Sequence, residues 1–214
     1  LKKIKFLLDQ NERSYYFAIM TKGEDTKTAI LDAGLDMASQ LGLDAVSIGA
    51  LAKATRMSKS GLFAHFQSKE NLQRDILRHA GGLFSTYVVV PALKTEAGIP
   101  RIKALVENWD RWVAKTMTGG CVFVQASNDF NDRDGKGRDF LLLQQEAWID
   151  CLRRIAQAAV RVGHFREEID CDQFAFEFYS LLLGFHLYYK LLNNEDIHLR
   201  QNRALDDLIL RYRR

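Results

Sequence analysis

The stretch VSIGALAKATRMSKSGLFAHFQSKENL, residues Val46–Leu72, decides how the chain is read. Ser47, Ser58 and Ser68 each stand just before a short run with helical apolar spacing. There a serine hydroxyl accepts a hydrogen bond from the unpaired N–H groups of a first helical turn. The first run turns Ile48, Leu51 and Ala52 inward and ends near Thr55. The second extends from about Ser58 to Phe66, with Met57, Leu62 and Phe66 spaced to anchor it. Two short helices across a tight turn at Arg56–Ser58, behind a packing helix, follow the helix-turn-helix plan. In that plan the second helix offers its N-terminal end to base edges in the major groove. Here that end carries Ser58, Lys59, Ser60 and Gly61, small and polar or basic, with Phe63, Ala64 and His65 toward the same side. Lys69, beside Ser68 at the start of the next helix, adds charge to exposed N–H groups and a positive dipole end, which suits a phosphate oxygen. Simple solvation is the plain alternative for both lysines.

Working outward, Thr26–Leu41 places Ile30, Ala33, Gly34, Met37, Ala38 and Leu41 on one helical face, and Gly42 stops it. After Ser68 the pattern Leu72, Ile76, Ala80, Leu83, Phe84, Tyr87 predicts a longer helix ending before Pro91. A helix opening at Pro100 carries Ile102, Leu105, Val106, Trp109, Val113 and Met117 as its stripe, and Gly119 and Gly120 end it. A short element over Val122–Phe130 follows, then a helix from about Arg138 to Val162. Its inward set is Phe140, Gln144, Ala147, Trp148, Cys151, Ile155, Ala159 and Val162. A further helix, capped by Asp170 or Asp172, runs to about Asn193 and is apolar nearly all round; a last amphipathic segment holds Ile197, Leu205, Leu208 and Ile209. The fold class expected is therefore all-α: a three-helix DNA-contacting unit, then a larger helical domain. The boundaries expected are an N-terminal extension over 1–23, flexible or foreign to the natural protein, a helix-turn-helix domain over 24–70 and a helical domain over 71–214. The extension is set off because Met20 precedes an ordinary polar start, while Leu1–Ile19 mixes apolar residues with Asp9, Glu12 and Arg13 and has no cleavage site.

Composition agrees with a helical globule. The chain has 214 residues, 47% of them hydrophobic, with only 2 prolines and 14 glycines. The net charge of +3 identifies no partner, but Lys53, Arg56, Lys59, Lys69, Arg74 and Arg78 face only Glu70 and Asp75 between residues 53 and 78. Such a local excess is a phosphate footprint or a solvated basic face. Cys121, Cys151 and Cys171 are far apart and odd in number, which points to a reducing compartment, the cytoplasm, without disulfides or a zinc site. No uncharged apolar run reaches the roughly 20 residues of a membrane span. The 5 histidines are scattered, and no G-x-S-x-G, P-loop or H-E-x-x-H is present, so neither an enzyme nor a cofactor or metal site is expected. The remaining rival is a helical small-molecule-binding or adaptor protein without operator binding.

Within Thr26–Leu77, the segments A-I-L-D-A-G-L-D-M-A, V-S-I-G-A-L-A and S-G-L-F-A-H-F-Q-S-K-E-N-L resemble the DNA-binding domain of the tetracycline-repressor (TetR/AcrR) family. There the last motif usually reads G-x-L-Y-x-H-F-x-x-K-E-x-L. The resemblance implies that Ser47 contacts a phosphate, that Lys59, Ser60 and Gly61 form the base-facing turn, and that Phe63, His65 and Lys69 occupy backbone-contact positions. Phe63 stands where the family usually has tyrosine, so it offers apolar contact only, and Gly61 leaves more of the readout to Lys59. His65 is either such a contact or a neutral packing histidine. The resemblance further implies a homodimer built on two long C-terminal helices, a near-palindromic double-stranded operator, and a C-terminal pocket whose small-molecule ligand releases DNA, most often from a repressor. Trp109, Trp112, Met117, Phe123, Phe140 and Trp148, with Gln125 and Gln144, are the candidate pocket residues. A mainly apolar, weakly charged effector of unknown identity suits them, and plain core filling is the alternative.

Overall fold

The computed structural model describes residues 22–116, 118–130, 134–194 and 196–214. Residues 1–21 of the expected extension, and Met117, lie outside the described residues.

All three serine caps form: Ser47 Oγ accepts from Ala50 N, Ser58 Oγ from Gly61 N and Ser68 Oγ from Asn71 N, each at 3.1 Å. They open α2 (Ile48–Thr55), α3 (Lys59–Phe66) and α4 (Lys69–Phe84), which follow α1 (Lys22–Leu41) and a short 3₁₀ turn, Leu43–Ala45. Gly34 lets α4 close on α1, because a Cβ there would lie 2.8 Å from Ile76 Cδ1. Ile30, Leu35, Leu51, Leu62, Phe66, Leu72 and Ile76 form the core of this first unit. Leu41, expected inward, is exposed in the last turn of α1, and Leu31 and Leu35 are buried on that helix.

Beyond Phe84 the helix does not run on to Tyr87 as α. It widens into a π turn, Ser85–Val89, before α5 (Val90–Leu93). Pro91 has no N–H to offer the carbonyl four residues back and its ring crowds that carbonyl, which accounts for the widened turn just ahead of it. A second π turn, Trp112–Thr116, extends α6 (Ile99–Arg111). Then come α7 (Val122–Asp129), α8 (Lys136–Arg161), α9 (Cys171–Lys190) and α10 (Ile197–Tyr212). Asp170 caps α9 by accepting from Asp172 N and Gln173 N. Val162, just past α8, is exposed rather than inward. Among the described residues the only strand-like pairing is an isolated antiparallel bridge, Phe165 with Arg213.

α8 is the spine. It packs on α4 along one side and on α9 along another, and α9 in turn packs on α10. The run Lys69–Leu93 is long and apolar enough to cross a membrane by length and composition. Here its Ile76, Leu77, Ala80, Val88, Val89 and Ala92 are buried in the protein core. Among the described residues, main-chain groups take part in two polar contacts between the two halves. Leu43 N donates to Asp129 Oδ2 at 2.8 Å and Gly119 N to Ser39 Oγ at 3.1 Å. A Cβ on Gly119 would sit 1.7 Å from Ser39 O, so this approach is backbone to backbone.

Candidate nucleic-acid interface and internal cavity

α3 is held from within and open outside. Leu62 and Phe66 are buried, Met57 packs against them, and Lys59, Ser60, Phe63 and Ala64 are exposed. Phe63 is 56% exposed, a large apolar side chain left in solvent beside the polar edge. The turn between α2 and α3 pivots on Arg56, which takes a left-handed conformation at φ 56°. Ser58 and Ser60 share a hydrogen bond at 3.2 Å. The stem of Lys59 lies over α2: its Cε comes within 3.7 Å of a Cβ built on Gly49, and Ser47 Oγ is also close. Ser47 and Lys59, on different helices, therefore share one edge. His65 is half-buried with its ring tilted against Phe66 at 6.0 Å.

The basic residues of this region divide into two sets. Lys69 Nζ donates to Asp44 O at 2.7 Å and Oδ1 at 2.9 Å. Arg74 and Arg78 turn to the buried Asp75 carboxylate, at 2.8 and 3.4 Å, and Lys27 joins them at 3.3 Å. Among the described residues no ion pair engages Lys53, Arg56 or Lys59, and all three are exposed around the turn. The cationic edge is thus narrower than the sequence count implied, and it is centred on the start of α3.

The second feature is a cavity of about 30 Å³ between α4, α6, α7, α8 and α9. Of the candidate pocket residues, Trp109, Phe123, Gln144 and Trp148 line it. Trp112 does not; its ring packs edge-on against Phe84 at 5.5 Å. Gln125 donates to Gly119 O at 3.1 Å, and Phe140 lies under the Arg78 guanidinium at 5.7 Å. Phe84, Cys121, Val124, Gln145 and Tyr179 complete the wall. By sequence Phe84 is one more residue of a core stripe, and its central place depends on where α4 crosses α8. Burial pushes the Cys121 thiol up, and burial together with the nearby Cys121 pushes the Tyr179 phenol up to about 12, so both stay neutral. Tyr179 donates to Gln145 Oε1 at 2.9 Å. Cys121 also closes a structural link: its N–H donates to His186 Nε2 at 3.1 Å. Burial, and then Lys190, hold His186 below its ordinary value, as that acceptor role requires. Among the described residues no three His, Cys, Asp or Glu side chains converge to hold a metal ion.

Residues 30–76 match the family described as bacterial regulatory proteins, tetR family, and residues 98–205, just over half of the chain, match the tetracyclin repressor-like C-terminal domain. No curated protein matches the chain. Among solved structures, a TetR transcriptional regulator from Chloroflexus aurantiacus superposes with a TM-score of 0.78 at 20% identity, covering 89% of this chain and 96% of that one. A TetR-family regulator from Cytophaga hutchinsonii gives 0.79 at 18% identity, covering 92% and 98%. AibR, solved with isovaleryl coenzyme A and operator DNA, gives 0.65 at 23% identity, covering 85% and 94%. At these identities the likeness shows the fold, an N-terminal helix-turn-helix unit on a helical C-terminal domain. The two family matches carry the assignment further: the chain belongs to the tetracycline-repressor family of transcriptional regulators.

Proposed function

We propose that the protein is a homodimeric repressor that binds a near-palindromic double-stranded operator and leaves it when a small, mainly apolar effector occupies the α4–α9 cavity. The observation that carries the reading is the edge at the start of α3. There Lys53, Arg56 and Lys59 are exposed and unpaired among the described residues, next to Ser58, Ser60 and Gly61, on a helix anchored by Leu62 and Phe66. Ser47, Phe63, His65 and Lys69 flank that edge in backbone-contact roles. AibR, solved with isovaleryl coenzyme A and operator DNA, supports the reading that this fold takes both a small molecule and an operator.

The dimer is supported by apolar residues left uncovered on one side of α8 and α9: Leu142 and Ile149 on the first, Phe176, Leu183 and Leu187 on the second, with Leu191 just past its end. The α9 residues share one helical face. Such a surface on the two longest C-terminal helices fits an isologous interface. It would set two α3 helices about 34–36 Å apart, one turn of DNA. Boundaries at 23/24 and 70/71 divide extension, DNA-binding and regulatory parts, with α4 bridging the second division. Free thiols at Cys121, Cys151 and Cys171 support a cytoplasmic location. A gel-shift titration with fragments flanking the gene, at two salt concentrations, tests the reading. The expected result is one fragment bound far more tightly than random DNA, with a steep salt dependence. Uniform weak binding to all fragments would favour an adaptor instead.

A further inference from the structure

The cavity of about 30 Å³ has room for little more than a water or two, so no effector enters it without displacing a wall. Phe84 is the wall so placed. Its ring stands edge-to-face with Trp148 at 5.0 Å, Trp112 at 5.5 Å and Phe123 at 5.9 Å, with interplanar angles of 90°, 88° and 86°. Trp112 and Trp148 are deeply buried and Phe123 nearly so, whereas Phe84 is only partly buried and sits at the joint between α4 and the π turn. Withdrawing it opens a slot the size of a six-membered ring, bounded by three aromatic surfaces. The chemistry of the slot is definite. No charged side chain lines the cavity, and an ionised ligand would be stranded there without a partner. Trp148 is only 7% exposed, and its Nε1–H has no hydrogen-bond partner. The Gln144 amide at the half-buried side makes no hydrogen bond among the described residues.

We propose that Phe84 is an internal plug, and that the ligand it yields to is a planar, uncharged aromatic compound bearing a carbonyl, whose ring replaces the Phe84 ring and whose oxygen accepts from Trp148 Nε1. The inference rests on the effector-cavity reading above and names its ligand class. An aromatic ring in the slot meets the same three faces edge-on that the departing Phe84 ring gives up. The carbonyl satisfies a buried donor that a hydrocarbon leaves unpaired.

The test uses the full chain without DNA and isothermal titration of four probes: acetophenone, ethylbenzene, benzoate and benzyltrimethylammonium. In the wild-type protein acetophenone binds tighter than ethylbenzene by about fivefold, the worth of one net hydrogen bond, and neither ion binds measurably. Phe84→Ala tightens acetophenone by about tenfold, because the plug no longer competes for its slot. Trp148→Phe keeps an aromatic wall and abolishes the gap between ketone and hydrocarbon. Tighter binding of either ion, an unchanged affinity in Phe84→Ala, or a ketone preference that survives Trp148→Phe overturns the proposal. If Phe84→Ala melts early, Phe84→Leu and the wild-type ranking decide the same points. Operator release by acetophenone is measured separately. Binding as described with no release supports the plug site and refutes the switching in the proposed function.

Discussion

Lys59 stands at the first position of α3 with no ion pair among the described residues and its stem folded over Gly49. To meet a base edge it needs only to swing outward. Lys59→Ala is therefore expected to cost roughly 1–3 kcal/mol on the operator and much less on random DNA. Equal losses on both, in parallel fluorescence-anisotropy titrations, would reassign it to a phosphate. Lys69 is in a different position, because Asp44 already holds it through two acceptors. Both side chains are substantially exposed, so the pair itself is worth about 1 kcal/mol or less. Asp44→Asn should strengthen binding to all sequences and steepen the salt slope by about one phosphate contact, since Lys69 is then held only by neutral carbonyl acceptors and no longer by a carboxylate. An unchanged slope would show that Lys69 never reaches the backbone. The serine caps were legible because a hydroxyl and its N–H partner lie three residues apart. The Lys69–Asp44 and Arg74–Asp75–Arg78 pairings were not, because a count of charges carries no geometry, and the 3₁₀ turn that presents Asp44 has no strong local signal.

Elements transmit what residues receive. The segment 118–121 touches two of them: Lys190 Nζ on α9 donates to Thr118 O at 3.0 Å, Cys121 N donates to His186 Nε2 on the same helix, and Gly119 N donates to Ser39 Oγ on α1. Gly119→Ala is expected to lift α1 from this segment, costing about 1–3 kcal/mol of stability through overpacking against backbone, read as a lower thermal unfolding midpoint. It should also weaken the effect of ligand on operator affinity while the ligand's own Kd stays near the wild-type value. Full coupling in that variant would place the relay elsewhere. His186 makes the same region sensitive to acid. Its folded-state value is depressed, so the unfolded chain takes up the proton first as the pH drops. Stability is then fully present above the unfolded value near 6.5 and declines as pH falls through the window below it. His186→Gln should flatten the dependence of the unfolding midpoint between about pH 7 and 5; an unaltered profile would exclude His186 as its source. Helix order and most helix ends followed from spacing, glycines and caps. The two π turns did not, since each reflects how a helix is bent by what it packs on, and with them Phe84 stayed hidden as an ordinary stripe residue.

At the scale of the whole molecule, the uncovered apolar face of α8 and α9 predicts association. The paired substitution Phe176→Glu with Leu187→Glu adds two charges to that face without touching the buried side of α9. It is expected to convert a dimer into a monomer by sedimentation at micromolar concentration and to reduce operator affinity far more than binding to a single half-site. A wild-type chain that sediments as a monomer would remove the basis for a palindromic operator. That α9 is apolar nearly all round was legible in its composition; which of its residues stay outside was not, because burial depends on where α8 and α10 lie. The junction between the two halves has a consequence for building sensors. Asp129 takes the main-chain N–H of Leu43, and Gly119 abuts the main-chain carbonyl of Ser39. Apart from the Ser39 hydroxyl, these contacts read backbone rather than side chains on the DNA-binding side. A graft that replaces residues 22–75 with the corresponding helices of another relative preserves the docking surface when it keeps a serine or threonine at position 39, the aspartate at 32 that meets His79, the glycine at 34 that admits Ile76 and the asparagine at 71 that meets Lys136. Its operator preference would change with the graft while its ligand response stayed with the host.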